Sequence, residues 1–218
     1  DFLMVRKALR ERTRLLRLAP HRVRPVRFVV PVTRSGRLTR PQLHAGLWLY
    51  DQLAGDLAGV ERHAAWPRQH LLDAAPFLAA NELLAGFTYG DAATDDAALV
   101  RDVVAAAQGA GAVCVEHAPV RSLEHSALDG RTVIGVRLDD GHLLTAPTTV
   151  LSAGPWAFAL AGLDPRREAR FSKGVHLVLP PLPLGPSLPA TDTAFLLTAP
   201  QDGRVFFLIP WQGGTMVG

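Results

Sequence analysis

Thr149-Val150-Leu151-Ser152-Ala153-Gly154-Pro155-Trp156 is the stretch that decides how the rest of the chain is read. Its aliphatic opening predicts a buried strand. Ser-Ala-Gly-Pro then predicts a tight turn into a helix. A strand that ends in small residues lets a phosphate or a ring approach the backbone. The helix start behind it offers free N–H groups and a partial positive charge. Dinucleotide-holding folds use such turns, and so does any other tight strand-to-helix junction. No G-x-G-x-x-G motif occurs anywhere in the 218 residues, so these residues do not encode the main pyrophosphate site of such a fold.

Upstream, Arg131 to Leu138 and His142 to Leu151 predict a hairpin joined by Asp139-Asp140-Gly141, a turn sequence. Ala112-Val113-Cys114-Val115 predicts a buried strand, with Pro119-Val120 just beyond it. Before it, Thr94-Asp95-Asp96 supplies a helix cap. That helix is expected to bury Leu99, Val100, Val103, Val104 and Ala107, and to stop at Gly109 and Gly111. Residues 95–155 thus predict a β–α–β order with parallel strands. Gly86-Phe87-Thr88-Tyr89-Gly90-Asp91 predicts a further strand.

Downstream the pattern changes. Residues 172–180, 193–198, 203–210 and 214–218 predict strands with no helix between them, and a proline-rich loop covers 180–189. That points to an antiparallel sheet and a second structural unit. Lys173-Gly174-Val175-His176 opens the first of these strands. His176 suits a general base, since imidazole titrates near working pH; a lone histidine beside Leu177 and Val178 more often holds a structural place. Lys173 suits an anion or a solvated surface. Arg204, at the entrance of Val205-Phe206-Phe207-Leu208-Ile209-Pro210-Trp211, suits a phosphate or a turn.

The N-terminal part is helical and basic. Residues 2–18 predict a helix with Phe2, Val5, Leu9 and Leu16 on its apolar face, widened by Leu15 and Leu18, and Pro20 stops it. Pro25 to Val32 predicts a short extended segment between prolines. Arg40-Pro41 opens a second helix through Leu43, Leu47, Leu49, Tyr50 and Leu53, closing at Gly55 and Gly59. Residues 60–80 predict two short helical pieces, around Trp66-Pro67 and Pro76-Phe77. Residues 1–40 hold eleven arginines and one lysine against two acids, although the whole chain carries only +3. That asymmetry suits an anionic partner: a basic amphipathic helix near Leu47, Trp48, Leu49 and Tyr50 suits an anionic bilayer, and an ordinary solvated surface explains the same charge. No aromatic-interleaved nucleic-acid motif accompanies it. A hydrophobic content of 48% supports a packed core. A single cysteine, Cys114, excludes an internal disulfide and the Cys/His arrays of zinc sites, so no metal is expected, and it fits a reducing compartment. No run reaches the roughly 18 apolar residues of a membrane span.

In this order and spacing, the pieces resemble the FAD-dependent glycerol-3-phosphate dehydrogenases, within the DAO-type flavoproteins. The resemblance runs almost the full length. It rests on Ala8-Leu9-Arg10-Glu11-Arg12 through Leu15-Leu16-Arg17-Leu18-Ala19-Pro20-His21, on Arg27-Phe28-Val29-Val30-Pro31-Val32, and on Ala45-Gly46-Leu47-Trp48-Leu49-Tyr50-Asp51. Phe87-Thr88-Tyr89-Gly90-Asp91 with Asp95-Asp96, the Gly154-Pro155-Trp156 turn, Lys173-Gly174-Val175-His176 and Gly203 to Trp211 complete it. The resemblance implies a mixed α/β (α+β) fold: part of an FAD-binding Rossmann-like domain plus an antiparallel-sheet substrate (cap) domain with N-terminal helices. Residues 1–82 would be the basic helical region, 83–94 a cap-sheet strand, 95–165 part of the FAD-binding domain, and 166–218 the cap domain.

The implied reaction is the oxidation of sn-glycerol 3-phosphate to dihydroxyacetone phosphate, with FAD as hydride acceptor and a quinone as the next electron acceptor. The implied place is the cytoplasmic side, peripheral on the inner face of a bacterial cytoplasmic membrane. The resemblance puts Val120 beside the adenine of FAD, and Gly154, Pro155 and Trp156 against the cofactor. It makes His176 the group that removes the C2 hydroxyl proton, with Lys173 and Arg204 positioning substrate. Ser152 stands where the family has threonine and Val175 where it has serine. The family's glycine-rich FAD motif would precede Asp1, and its Thr-Thr-Asp segment and a phosphate-binding arginine would follow Gly218. The expectation is therefore that the 218 residues alone bind FAD poorly and turn over no substrate. Two other readings stand beside this one: a different DAO-type enzyme, an amino-acid or hydroxy-acid oxidase, and a non-catalytic membrane-surface module.

Overall fold

Val23–Thr33 forms β1, an eleven-residue strand inside a seven-stranded mixed sheet. The protein is seen in a computed structural model that describes residues 2–55, 59–189, 191–199 and 201–218. The strands are β2 (Ala64–Pro67), β3 (Leu83–Thr94), β7 (Leu177–Leu179), β8 (Thr193–Thr198), β9 (Val205–Trp211) and β10 (Gly214–Val217), in the order β2-β3-β1-β8-β9-β10-β7. All pairs are antiparallel except β1 with β8. That one parallel ladder spans only Arg27–Val29, and Pro25 and Pro31 bracket it. A proline lacks the N–H that a central strand needs on both sides, so the prolines limit where a second neighbour can pair. The segment expected to be short and merely extended is therefore a full strand, and it joins the N-terminal region to the C-terminal hairpins in one sheet.

Three helices pack on this sheet: α1 (Phe2–Leu18), α2 (Arg40–Ala54) and α3 (Arg68–Ala74). Successive β1 residues face opposite sides. Val29 packs with Leu71 of α3, Leu83, Phe195 and Leu208 on one face. Phe28 packs with Val26 and Ala194 on the other, where Leu47 of α2 meets Val32 and Phe87. Phe195 is fully buried, and Phe77 meets its ring edge-on at 5.1 Å. Burying such a ring contributes about 1.5–3 kcal/mol. α1 buries Leu9, Arg12 and Leu16, whereas Leu18, expected on its apolar face, is 73% exposed. Residues 60–80 were expected as two helical pieces. They give β2, α3 and an irregular segment instead, because Ala64–Pro67 finds a ladder on β3.

The chain divides into two compact units, residues 1–103 with 174–218, and residues 104–173. α4 (Asp96–Gly109) follows β3, with the Asp95 carboxylate accepting from the Ala98 N–H at 2.9 Å as the sequence predicts. Its apolar face is not buried as expected. Only Ala98 is fully covered, and Val100, Val103 and Val104 are 60, 61 and 38% exposed. Beyond it lie β4 (Val120–His125), β5 (Val133–Leu138) and β6 (Leu143–Thr145), an antiparallel three-stranded sheet. The hairpin through Asp139-Asp140-Gly141 forms as expected, although β6 stops at Thr145. The parallel β–α–β order for 95–155 does not form. Ala112–Val115 and Thr149–Ala153 pair with no described strand; the first is exposed throughout, with Val113 at 88%, and the second is half-buried apart from Val150, at 81%, and Ser152. An apolar run becomes a buried strand only where a neighbouring strand and a covering layer exist, and the described residues provide neither here.

Candidate functional site

The sequence places seven residues at a site, and the fold distributes them over both units. Val120, Gly154, Pro155, Trp156 and Lys173 belong to the 104–173 unit; His176 and Arg204 belong to the other.

Gly154–Trp156 forms a single 3-10 turn that runs into α5 (Ala157–Leu160), a helix of four residues packed against β4. Val120 opens β4. Gly154 has φ +52°, a region where side-chain-bearing residues are strained. A Cβ built on it would meet nothing within 4 Å, so the outer face of the turn is open. The Trp156 indole is 75% exposed on the same turn. The turn therefore offers accessible backbone and a free aromatic face. The expected helix dipole behind it is reduced, because one helical turn aligns few peptide units.

His176 directly precedes β7, and Arg204 directly precedes β9. β10 lies between these strands and runs antiparallel to both, so β7 and β9 are parallel and start at the same end of the sheet. By register His176 is level with Gly218 and Phe207. Arg204 lies two strands away and three residues further out toward the same end, so the fold does not bring the two side by side. His176 is exposed, and no hydrogen bond to it is made among the described residues. Its ring lies against Gly218, where a Cβ would stand 2.0 Å from the imidazole Cδ2. The residue as a whole is exposed, so the imidazole is not walled in by aliphatic neighbours, although its Cδ2–Nε2 edge rests against Gly218.

Arg204 is engaged on its own turn. Its Nε donates to Asp202 Oδ2 at 2.5 Å, and its backbone N–H donates to Asp202 Oδ1 at 3.0 Å. These bonds, the backbone one foremost, hold the Asp202 carboxyl below its usual range. Lys173 is exposed.

Other polar clusters are illegible as local motifs. Buried Arg12 donates from Nη1 to Tyr50 Oη at 2.8 Å and to the Gly90 carbonyl at 3.1 Å, and lies 3.5 Å from Asp91 Oδ1. Its Nε and Nη2 are buried without a hydrogen-bond partner among the described residues. Burial, then the Asp91 charge, pushes the Tyr50 and Tyr89 hydroxyls well above the usual phenol range. A cleft of about 370 Å³ is lined by Arg24, Arg27, Glu61, Gly90, Asp192 and Thr193. Arg24 pairs with Asp192 at 2.8 Å, and Arg27 bonds Glu61 through two nitrogens, Nε at 2.8 Å, which lowers the Glu61 carboxyl. Both cations are thus neutralised, which removes the cleft's pull on an anion. On α2, Asp51 is buried with Leu47 and Ala54 on one stripe and accepts from His63. An acid on a buried helical stripe is the signal that marks such a pair in sequence. Among the described residues no group of three or more His, Cys, Asp or Glu side chains is arranged to hold a metal.

Comparison with known proteins adds a second line of observation. The family model for FAD dependent oxidoreductases (DAO) matches residues 2–218. A glycerol-3-phosphate dehydrogenase of Mycobacterium leprae is 33% identical over 227 residues, covering 100% of this chain. The chain spans 37% of that relative's length. Among solved structures, the glycerol-3-phosphate dehydrogenase from Bacillus halodurans complexed with FAD matches with a TM-score of 0.68 at 24% identity, covering 96% of this chain and 36% of that one. The L-proline dehydrogenase from P. horikoshii matches with a TM-score of 0.61 at 13% identity, covering 96% and 54%. At these identities the two structures establish a shared fold.

Proposed function

We propose, for a chain that belongs to the FAD dependent oxidoreductase family, that the whole protein oxidises sn-glycerol 3-phosphate to dihydroxyacetone phosphate. The observation that carries this reading is the 33% identity to a glycerol-3-phosphate dehydrogenase along the entire chain. FAD, when bound, supplies the hydride acceptor. The residues at 154–156 fit a flat ring system: the turn is open at Gly154, and the Trp156 face is free. In this reading Val120, Gly154, Pro155 and Trp156 line the cofactor, within a segment 95–165 that contributes to its domain, while 83–94 and 166–218 contribute to the substrate sheet.

The chain's own chemical contribution is a proton acceptor. An imidazole can take the C2 hydroxyl proton at a ring nitrogen as the carbon gives up its hydride. His176 meets the first requirement, since its ring is solvent-accessible and makes no hydrogen bond to the described residues. Arg204 and Lys173 are the cations that would orient the phosphate. For Arg204 this means exchanging its bonds to Asp202 for bonds to substrate.

Electrons pass on to a quinone, and the protein sits on the cytoplasmic face of the membrane. Basic α1 supports this placement: Phe2, Leu3 and Met4 are 68, 69 and 64% exposed beside exposed Arg6, Lys7 and Arg10. Among the described residues no helix is long and apolar enough to cross a membrane. Co-sedimentation of the whole protein with vesicles is expected when they contain phosphatidylglycerol, and to fall with added salt. Equal binding to neutral vesicles contradicts the placement.

A second reading is favoured by the fold shared with an L-proline dehydrogenase. In that reading the substrate is an amino acid. Anaerobic reduction of the flavin in the whole protein separates the two. Glycerol 3-phosphate is expected to bleach the visible flavin band and L-proline to leave it. The reverse result overturns the glycerol 3-phosphate assignment.

A further inference from the structure

We propose that His44 and His63, supported by Asp51, form a binding site for a zinc-class divalent transition-metal ion. It lies at the face of α2 that carries Leu47 and Asp51, beside Phe87 of β3, and is independent of the reading above.

Helix α2 places His44 and Asp51 seven residues apart, two turns along one face. His63 sits just before β2 and packs between them. Its backbone N–H donates to Asp51 Oδ2 at 3.0 Å, and its ring Nδ1 lies 2.7 Å from the same oxygen. Asp51 is buried, with 4% of its side chain exposed, and His63 retains 13%. A carboxylate can only accept here, so Nδ1 carries a proton; in the neutral imidazole that leaves the Nε2 lone pair for a metal, and a metal displaces any proton from Nε2 when it binds. Metal-ligating histidines are commonly prepared in this way: the distal nitrogen is held by a carboxylate, which fixes the tautomer and raises ligand basicity.

The second imidazole is close. The ring centres of His44 and His63 lie 5.2 Å apart with their planes at 74°. Two imidazoles that share a tetrahedral zinc at about 2.0–2.1 Å have ring centres roughly 5 Å apart. Phe87 packs edge-on against the His44 ring at 5.8 Å and limits its orientation. His44 also lines an open groove with Pro41, Ala45 and Trp48, so an ion and its waters have an entry path. Among the described residues, neither His63 Nε2 nor either His44 nitrogen is used by a hydrogen bond. Two protein ligands give a weak, exchangeable site completed by water. Arg40 on the same groove opposes the ion's charge and weakens it further.

The test is a titration of the whole protein with zinc alone, followed by competition against a chromophoric chelator and by thermal unfolding. One equivalent is expected to bind and to raise the unfolding temperature. His44→Asn is expected to lose both effects. His63→Asn is expected to do the same, and Asp51→Asn to weaken binding about 10- to 100-fold. His117→Asn, on the other unit, serves as the control and keeps the site. Because His44 is exposed, its variant folds and can carry the test alone if either buried-side variant does not. Absence of saturable binding, or binding undiminished in His44→Asn, overturns the proposal.

Discussion

Arg12 shows how one side chain can look like a surface charge and act as core. It sits on the buried face of α1 and bonds Tyr50, Gly90 and Asp91, while its Nε and Nη2 find no hydrogen-bond partner among the described residues. Those two unsatisfied donors offset much of what the other bonds contribute. Packing of the aliphatic stem is then the larger share of its worth. Arg12→Ala is expected to cost about 2–3 kcal/mol in urea unfolding, and Arg12→Met distinctly less, because the stem volume is kept. A methionine variant as unstable as the alanine variant contradicts this. The sequence places Arg12 among eleven N-terminal arginines with nothing local to single it out. Its partners come from residues 50, 90 and 91, and only the fold brings them to it. The turn glycine at 154 is the opposite case: Ala-Gly-Pro is a local signal, and the turn forms where it stands.

At the scale of elements, helices and hairpins with end signals were legible, and so were the strands at 86–91, 193–198, 203–210 and 214–218; which strands pair was not. α1, α2 and the β5–β6 hairpin follow from caps, prolines and an Asp-Gly turn, and β3 from its strand-like run with Phe87 and Tyr89. Ala112–Val115 and Thr149–Ala153 were read from composition alone, and composition does not say whether a neighbour exists. The same limit explains α4, whose valines are periodic yet exposed. α4 is held at its start by buried Ala98 and by Leu99 against Leu16, Val23 and Val60, and further along by a polar tie. Asp102 accepts from Arg22 through two nitrogens at 2.7 and 3.0 Å and meets His21 at 2.9 Å, which ties the helix to the residues before β1. The Arg22 bond and then the His21 bond lower the Asp102 carboxyl to about 2. A depressed carboxyl stabilises the fold above its unfolded value of about 4, and that contribution disappears as pH falls through about 2. Asp102→Asn is therefore expected to be less stable than wild type at neutral pH, with the difference closing between about pH 4 and about pH 2. A difference that stays constant across that window contradicts the assignment.

At the scale of the molecule, the chain holds a mixed seven-stranded sheet in one unit and a small antiparallel sheet in the other, with the candidate residues divided between them. The family was legible because short, individually weak pieces recur in a fixed order, a property of the whole chain and of no single motif. Of the candidate residues only the local setting was legible: the turn at 154–156 forms and is open and His176 stands exposed at the start of β7, whereas the tie of Arg204 to Asp202 was not read from the sequence. The central claim is that His176 accepts the substrate proton. It is tested most directly by anaerobic stopped-flow reduction of the flavin by glycerol 3-phosphate in the whole protein and its His176→Asn variant. The variant is expected to retain its flavin and to be reduced about 10²- to 10⁴-fold more slowly. Reduction at the wild-type rate with flavin fully bound contradicts the claim.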